Sequence, residues 1–542
     1  MFDILVADKL ADEGLAILKA QPDVKLTVQA KWQPGELAGV LGNYDGVIIR
    51  SGVKITAKDL EKPGKLKAIA RAGVGVDNVD VPKATKAGVL VMNTPDANTI
   101  TTAEHTIALM MALSRKVPLA DAHLRAGGWE RNQFMGTQLA GKTLGIIGFG
   151  RIGRAVAKRA LGLEMKVLAH DPFFFADSAM DGQIKMLKNL EELLPLCDYI
   201  TVHVTGGEKT KGLINAERMA KCKKGVRFIN CARGGIIDEV ALAEAIKAGQ
   251  VAGAAVDVYE PEPPPMDMEL FKLGDKVVVT PHLGASTHEA QTAASTDVVE
   301  GLLTYLRGQG LVGAINAGGI EVNLSPQEKG YADLAQRMGT ILSALTEKGF
   351  DSITLKTNGE LPKRITNTLS RLAVVALLKP FMPDQVNVVN AFHLAEERGI
   401  AIRSEVMGQA HQRTIQHSIE LDITEKVDGE TRTHTIIGTV FADNLPRVLA
   451  IKGYWMDMVP EGPMVMIVNK DQPGVIGLVG TIFGQTNVNI ADMTLSRKGD
   501  KALMILKLDA EPSAELLTKL RNEKAIEVVK SCVLAALESG VE

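Results

Sequence analysis

The segment Lys142-Thr143-Leu144-Gly145-Ile146-Ile147-Gly148-Phe149-Gly150-Arg151-Ile152-Gly153 decides the fold of this 542-residue chain. Leu144, Ile146 and Ile147 form a short apolar run of the kind that becomes a strand buried on both faces. Three glycines at G-x-G-x-x-G spacing follow and open a helix, predicted over 154–161. The three glycines serve different ends, since Gly148 turns the chain tightly, Gly150 lets backbone approach a pyrophosphate, and Gly153 lets helix pack against strand. An anion there meets free amides, Arg151 and Ile152 among them, at the positive end of a helix. The next predicted strand, 165–169, leads to Asp171, about twenty residues on, where a carboxylate accepts from a ribose 2′-hydroxyl and would repel a 2′-phosphate. The reading is a dinucleotide site, with NAD as the cofactor.

Outward from this unit, short apolar strands alternate with helical stretches on both sides. Strands are predicted over 4–7, 47–50, 67–71 and 89–93 before it, and over 199–204, 226–230, 252–258 and 277–280 after it. That alternation gives an α/β fold with two doubly wound, Rossmann-like sheets. Thr101-Thr102-Ala103-Glu104 has the spacing of a capping box and predicts a helix over 104–125, kinked at Pro118, that connects one sheet to the next. Trp129-Glu130-Arg131 beyond it reads as a packing or subunit contact. A helix predicted over 290–307 closes back on the first sheet. The expected domains are therefore 1–98 with 290–315 for substrate, 99–289 for NAD, and 316–457 as an intervening α+β domain carrying a helix over 365–378 and a strand over 435–441. Residues 458–542 have the βαββαβ order of a ferredoxin-like domain.

Composition narrows the function. A hydrophobic fraction of 46% with 4% aromatic suits an aliphatic α/β core, and a net charge of −3 gives no polyelectrolyte signature, so no nucleic acid partner is expected. Cys197, Cys222, Cys231 and Cys532 are scattered without a CxxC pair, which fits small, reduced core thiols rather than a disulfide frame or a zinc site; no metal is expected. Residues 2–6 already read as a strand, with no leader before them, and no apolar run reaches membrane-spanning length. The expectation is a cytoplasmic protein with no membrane partner.

Oxidising a carbinol on such a cofactor requires a proton acceptor beside the hydroxyl, and histidine suits best. Of ten histidines, His282 follows a buried strand in Pro281-His282-Leu283-Gly284-Ala285, which places it at the ligand end of the sheet. Glu262, in the Pro-rich stretch after Asp257, is positioned to accept from the far ring nitrogen of His282 and raise its basicity. Glu260 is its near-neighbour rival. Arg233 follows a third strand end, where a guanidinium can grip a carboxylate bidentately. In the first sheet, Arg50 (followed by Ser51) and Arg71 also end strands, and Arg71 leads into the amide-rich loop Ala72-Gly73-Val74-Gly75-Val76-Asp77. Two arginines converging on one crevice suit an acidic substrate.

Together these motifs resemble the D-2-hydroxyacid dehydrogenases over roughly residues 1–315. The resemblance implies catalytic roles for Arg233, Glu262 and His282, with Glu262 holding the later acidic place in the Asp257–Pro263 pattern. It implies cofactor contacts from Gly148, Gly150, Arg151, Ile152, Gly153, Asp171, Val204, Cys231, Ala232, Arg233, Asp257, His282, Gly284 and Ala285. The loop around Arg71, the stretch Trp129-Glu130-Arg131 with Phe134-Met135-Gly136-Thr137, and His282 to Thr287 are similar to the long members of that family that oxidise 3-phospho-D-glycerate. Those members imply substrate contacts from Arg50, Ser51, Arg71, Gly73 and Arg131, and a homo-oligomer, dimer or tetramer. Asp471-Gln472-Pro473-Gly474-Val475 and Asn487-Val488-Asn489-Ile490-Ala491 resemble the ACT signature, implying an L-serine effector at Asn469, Asp471 and Asn489. Val74 stands where members often carry a hydroxyl residue, and Asn469 and Asp471 stand where serine-regulated members read His-x-Asn. A glyoxylate or hydroxypyruvate dehydrogenase, or a non-catalytic NAD-sensing corepressor-like scaffold, remains open at this point.

Overall fold

The computed structural model of the chain describes all residues except 34, 175, 322, 347–348, 383–385, 408–414, 428–429, 442–443 and 538–542. The opening segment forms the strand Thr143–Ile147, with Leu144 and Ile146 fully buried. It lies inside an eight-stranded sheet that runs Val277–Val279, Val251–Val256, Val226–Asn230, Tyr199–Val202, Thr143–Ile147, Lys166–His170, Ile184–Met186 and Ser178–Ala179. Only the last, short strand is antiparallel. The helix after the glycines spans Arg151–Gly162, starting earlier than the spacing predicts because extended Gly150 is itself the N-cap.

A second sheet, all parallel, runs Val24–Val28, Phe2–Val6, Gly46–Ile49, Ala68–Arg71 and Leu90–Met92. The helix His288–Leu306 lies on it, and its Val298, Val299, Leu302 and Leu303 share a core with Ile4, Val6, Ile48 and Ala70. Leu302 fits the space left by Gly46, where an added Cβ would sit 3.0 Å from its Cδ1. Truncating Leu302 to alanine would cost about 2–5 kcal/mol in such a core.

The chain thus crosses between the two sheets twice, and the crossings are stitched together. The first is the helix Thr99–Arg115, which begins ahead of the predicted capping box, with Asn98 as N-cap and no side-chain cap. Thr101 and Thr102 lie inside the helix, where Thr102 Oγ1 donates to the Gly284 carbonyl at 2.9 Å and the Thr101 and Thr287 hydroxyls meet at 3.2 Å. Glu104 pairs with Arg159 at 2.9 Å instead of capping. These tertiary bonds displace the local capping arrangement. The predicted single kinked helix is likewise two, broken at Lys116, whose φ of 53° is left-handed. Pro118 then falls in the first turn of Val117–Arg125, where its missing N–H leaves no bond unmade.

The remaining chain builds two sheets on one shared core. Six strands, Ala401–Val406, Ser352–Asn358, Ser418–Val427, Glu430–Val440, Pro446–Ile451 and Tyr454–Met458, pack against the helices Pro326–Leu345 and Thr366–Leu378. The terminal segment has the ferredoxin-like order Ile490–Lys498, Lys501–Leu508, Gly462–Lys470, Ile526–Leu534, all antiparallel. Its helices Val475–Gln485 and Ala514–Arg521 cover one face through Val479, Phe483, Leu516 and Leu520. The other face gives Met464, Met466, Leu503 and Ile505 to the core around Pro326–Leu345. Arg337 of that helix donates to the carbonyls of Pro460 (2.8 Å) and Ala535 (2.6 Å), closing the seam. Burial on both faces accounts for the unbroken apolar runs Met464–Val468 and Ala502–Leu506. All four cysteines are buried, and among the described residues no helix is long and apolar enough to cross a membrane.

Candidate active site

The glycine loop is built to receive a phosphate. Gly153 packs so closely that a Cβ would fall 2.2 Å from the Gly148 carbonyl oxygen, while a Cβ on Gly150 would meet nothing, so the space in front of it is open. Helix Arg151–Gly162 has no side-chain cap, and the amides of its first turn have no partner within the helix. Asp171 Oδ2 accepts from the Phe149 amide at 2.8 Å and Oδ1 from the Phe173 amide, which fixes the carboxylate at the mouth of the loop. Arg151 is turned outward and pairs with Asp96 at 2.6 Å. Val204 closes the loop from the neighbouring strand end, its Cγ1 2.9 Å from where a Cβ of Gly148 would lie. These residues fit a pyrophosphate-linked dinucleotide.

Across the strand ends, His282 and Glu262 meet: His282 Nδ1 lies 2.8 Å from Glu262 Oε2. Glu262 Oε1 accepts from the Tyr259 amide at 3.0 Å, so the carboxylate is held at both oxygens. Burial pushes its pKa up, but the bonds from His282 and Tyr259 and the charges of His282 and Arg233 outweigh it, leaving the carboxyl below its ordinary range. Glu260 faces elsewhere and pairs with Lys211 at 2.8 Å. His282 itself adopts a left-handed φ of 54°, held by its amide donating to the Asp257 carbonyl at 2.9 Å. Asp257 underpins the loop: fully buried, it accepts from the amides of Leu283 (2.8 Å) and Gly284 (2.9 Å) and from the Thr280 hydroxyl (2.6 Å), with His105 Nε2 at 3.2 Å. The Ala285 carbonyl accepts from Gln291 Nε2 at 3.0 Å.

Three arginines complete the cleft. Arg233 bonds Asp77 of the first-sheet loop at 2.9 Å and bridges the two sheets, its Nη1 donating to the Ala232 carbonyl at 2.7 Å. Glycines make room for the guanidinium groups. A Cβ on Gly75 would fall 1.8 Å from Arg233 Nη2, and one on Gly73 would fall 2.0 Å from Arg71 Nη1. Burial lowers the Arg71 pKa to about 10, with the positive charges of Arg233 and Arg50 adding to the effect against Asp77 and Asp8. Its Nε is buried without a partner among the described residues. Arg50 bonds Gln291 and thereby reaches the His282 loop. Asp77, His105 and Gln291 are contributors that the sequence reading missed; each acts through a partner far away in the chain, and no local spacing marks them.

Other candidate residues are placed differently. Ser51 is exposed in the turn after Gly46–Ile49, and Cys231 is buried with its thiol pushed up to about 12. Arg131 lies in the turn Arg131–Phe134 and pairs with no carboxylate among the described residues, while Trp129 beside it is 72% exposed. Asn469, Asp471 and Asn489 do not come together within the chain. Asn469 pairs in register with Ala502, whereas Asn489 precedes Ile490, which pairs with Leu508 at the opposite end of the same strand. Asp471 lies against Arg497 at 3.3 Å, and Asn489 donates to Asp509 at 2.7 Å.

Comparison with known proteins agrees along the chain. Residues 107–284 match the NAD-binding domain of D-isomer specific 2-hydroxyacid dehydrogenases, 328–452 the D-3-phosphoglycerate dehydrogenase intervening domain, and 464–525 the ACT domain. The chain is 39% identical to a D-3-phosphoglycerate dehydrogenase of Archaeoglobus fulgidus, over 95% of its own length and 97% of that protein. It is 39% identical to one of Bacillus subtilis, over 98% and 99%. Among solved structures, a D-lactate dehydrogenase of Aquifex aeolicus, complexed with NAD and lactic acid, is 27% identical, with a TM-score of 0.51 over 56% of this chain and 96% of that one.

Proposed function

Because the chain belongs to the D-3-phosphoglycerate dehydrogenases, NAD-dependent oxidoreductases of the D-2-hydroxyacid dehydrogenase family that convert 3-phospho-D-glycerate to 3-phosphohydroxypyruvate, we propose that Arg233, Glu262 and His282 carry its chemistry. The observation that carries this assignment is the Glu262–His282 bond at 2.8 Å, set at the strand ends within the field of Arg233. Glu262 holds Nδ1, which leaves Nε2 to accept the substrate's hydroxyl proton, and Glu262 then stabilises the imidazolium. Arg233 exchanges Asp77 for the substrate carboxylate and grips it through its fork of N–H groups. NAD, when bound, supplies the acceptor for the hydride leaving C2. Gly148, Gly150 and Gly153 hold its pyrophosphate, and Asp171 selects it over NADP. Arg50 and Arg71 receive the phosphate that a simpler hydroxyacid lacks, whereas the Gly73 amide, also expected there, is spent on the Thr94 hydroxyl at 2.9 Å. A glyoxylate-type activity is not favoured, since likeness to the phosphoglycerate enzymes runs through the appended domains as well.

The same reading places the oxidation at the start of L-serine synthesis in the cytoplasm and the active protein as a homo-oligomer, a dimer or tetramer. Arg131, beside exposed Trp129, reaches the phosphate of a neighbouring copy's cleft. An L-serine site would join Asn469 and Asp471 of one copy to Asn489 of another, since register separates them within one. The test is an NAD-coupled assay on 3-phosphoglycerate, glycerate and lactate, with and without serine. Equal efficiency on glycerate and phosphoglycerate would overturn the phosphate assignment.

A further inference from the structure

A cavity of about 210 Å³ opens where the catalytic half of the chain meets the appended half. Tyr305, near the end of the helix on the first sheet, and Leu311 form one wall; Ile320, Arg371, Leu372 and Val388 form the other. The junction is tied on its flanks by Lys86 with Glu397 at 2.6 Å and by Asn387 donating to the Gly88 carbonyl at 2.9 Å.

The chemistry of the wall is lopsided. Arg371 is partly buried, its guanidinium stacks 4.5 Å above the Phe392 ring, and Nη1 donates to the Val388 carbonyl at 3.0 Å. Among the described residues no carboxylate pairs with it, and burial depresses its pKa. A guanidinium has five N–H donors, so most of its capacity is unspent, and a desolvated cation without a counter-ion is unfavourable. The Tyr305 hydroxyl also has no hydrogen-bond partner among the described residues, and burial raises its pKa, which keeps it a neutral donor. Among the described residues no Asp or Glu lines the cavity, so an α-ammonium group would find no carboxylate among them. The other side chains of the wall are aliphatic save Thr368, whose hydroxyl accepts from the Glu321 amide at 2.8 Å.

We propose that this junction binds a small monocarboxylate with a short branched alkyl tail and no α-amino group, its carboxylate held by Arg371 and Tyr305 and its tail by Leu311, Ile320, Leu372 and Val388. Such a ligand touches the helix that covers the first sheet and the helix Thr366–Leu378 of the appended half at once. It is distinct in chemistry from an amino acid bound at the terminal domain.

The experiment is calorimetric titration of the full chain, saturated with NADH, with 3-methylbutanoate, its neutral amide, and L-valine, which is the same acid with an α-amino group. The acid is expected to bind saturably and about tenfold or more tighter than either analogue, the scale of a lost charge-assisted bond. Arg371→Met should abolish that binding and Tyr305→Phe should weaken it. No saturable binding, equal binding of acid and amide, or undiminished binding to Arg371→Met would overturn the proposal, the last by placing the acid on the arginines of the catalytic cleft. Should Arg371→Met fail to fold, a wild-type crystal soaked in 3-methylbutanoate decides: density in the cavity supports the site, and density only elsewhere overturns it.

Discussion

The cleft between the two parallel sheets and the terminal sheet carry their polar residues in opposite ways. In the cleft, side chains meet within one chain whether remote in sequence, as Asp77 with Arg233 at 2.9 Å, or 20 residues apart, as Glu262 with His282 at 2.8 Å. In the terminal sheet, Asn469 and Asn489 have the same spacing as Glu262 and His282, yet lie against opposite ends of the strand Lys501–Leu508. Parallel sheets explain the difference. Every strand of a parallel sheet ends on the same side, so loops from many strands share one rim. In an antiparallel sheet consecutive strands end on opposite sides, and a site drawing on both ends needs a second copy.

This contrast can be broken by substitution, the largest effect first. His282→Ala should lower kcat by about 10²–10⁴-fold, far more than it changes NADH affinity read by fluorescence titration. Retained turnover would remove the cleft from the comparison. Glu262→Gln should lower kcat by about 10²-fold and move the acid limb of kcat/KM to lower pH, because losing the anion makes His282 less basic. Glu262 is held below its ordinary range, so in the native protein its charge is present through neutral pH and lost only as pH falls through that depressed value.

Arg71→Met should raise KM for 3-phosphoglycerate about tenfold or more and leave KM for glycerate nearly unchanged. With the Arg71 pKa lowered to about 10, its charge is present below that pH and fades as pH rises through it. Wild-type KM should therefore climb as pH passes about 10, and the variant should show no such climb. At the terminal sheet, Asn469→Ala and Asn489→Ala should each abolish serine binding, and mixed oligomers of the two should regain part of it. Failure of the mixture to recover would break the two-copy reading. The smallest effect is expected at Glu260→Gln, less than about twofold in kcat, since Glu260 pairs with Lys211 away from His282.

Much of the cleft was legible because strand ends carry it. Gly148 to Gly153, Asp171, Arg233 and His282 each sit where an apolar run stops, and an apolar run is visible locally. Asp77, His105 and Gln291 were not legible, because each is defined by a partner on another element. The capping spacing at Thr101–Glu104 misled for the same reason: the Thr101 hydroxyl meets Thr287 and Glu104 pairs with Arg159, both far along the chain. The shared core of the appended domains left a trace that went unread. The runs Met464–Val468 and Ala502–Leu506 lack the alternation of a half-exposed strand, and both faces are indeed covered.

The paired crossings between the two parallel sheets have a mechanical consequence. One covalent link would let the two bodies swivel about a point, whereas two links pinned side by side at Thr101 with Thr287 and Thr102 with Gly284 define an axis, like a door on two hinge pins. Any opening would then be a swing with one principal freedom. His282 sits two residues from a pin, where such a swing would displace atoms least, and the Asp77–Arg233 pair would have to part for it.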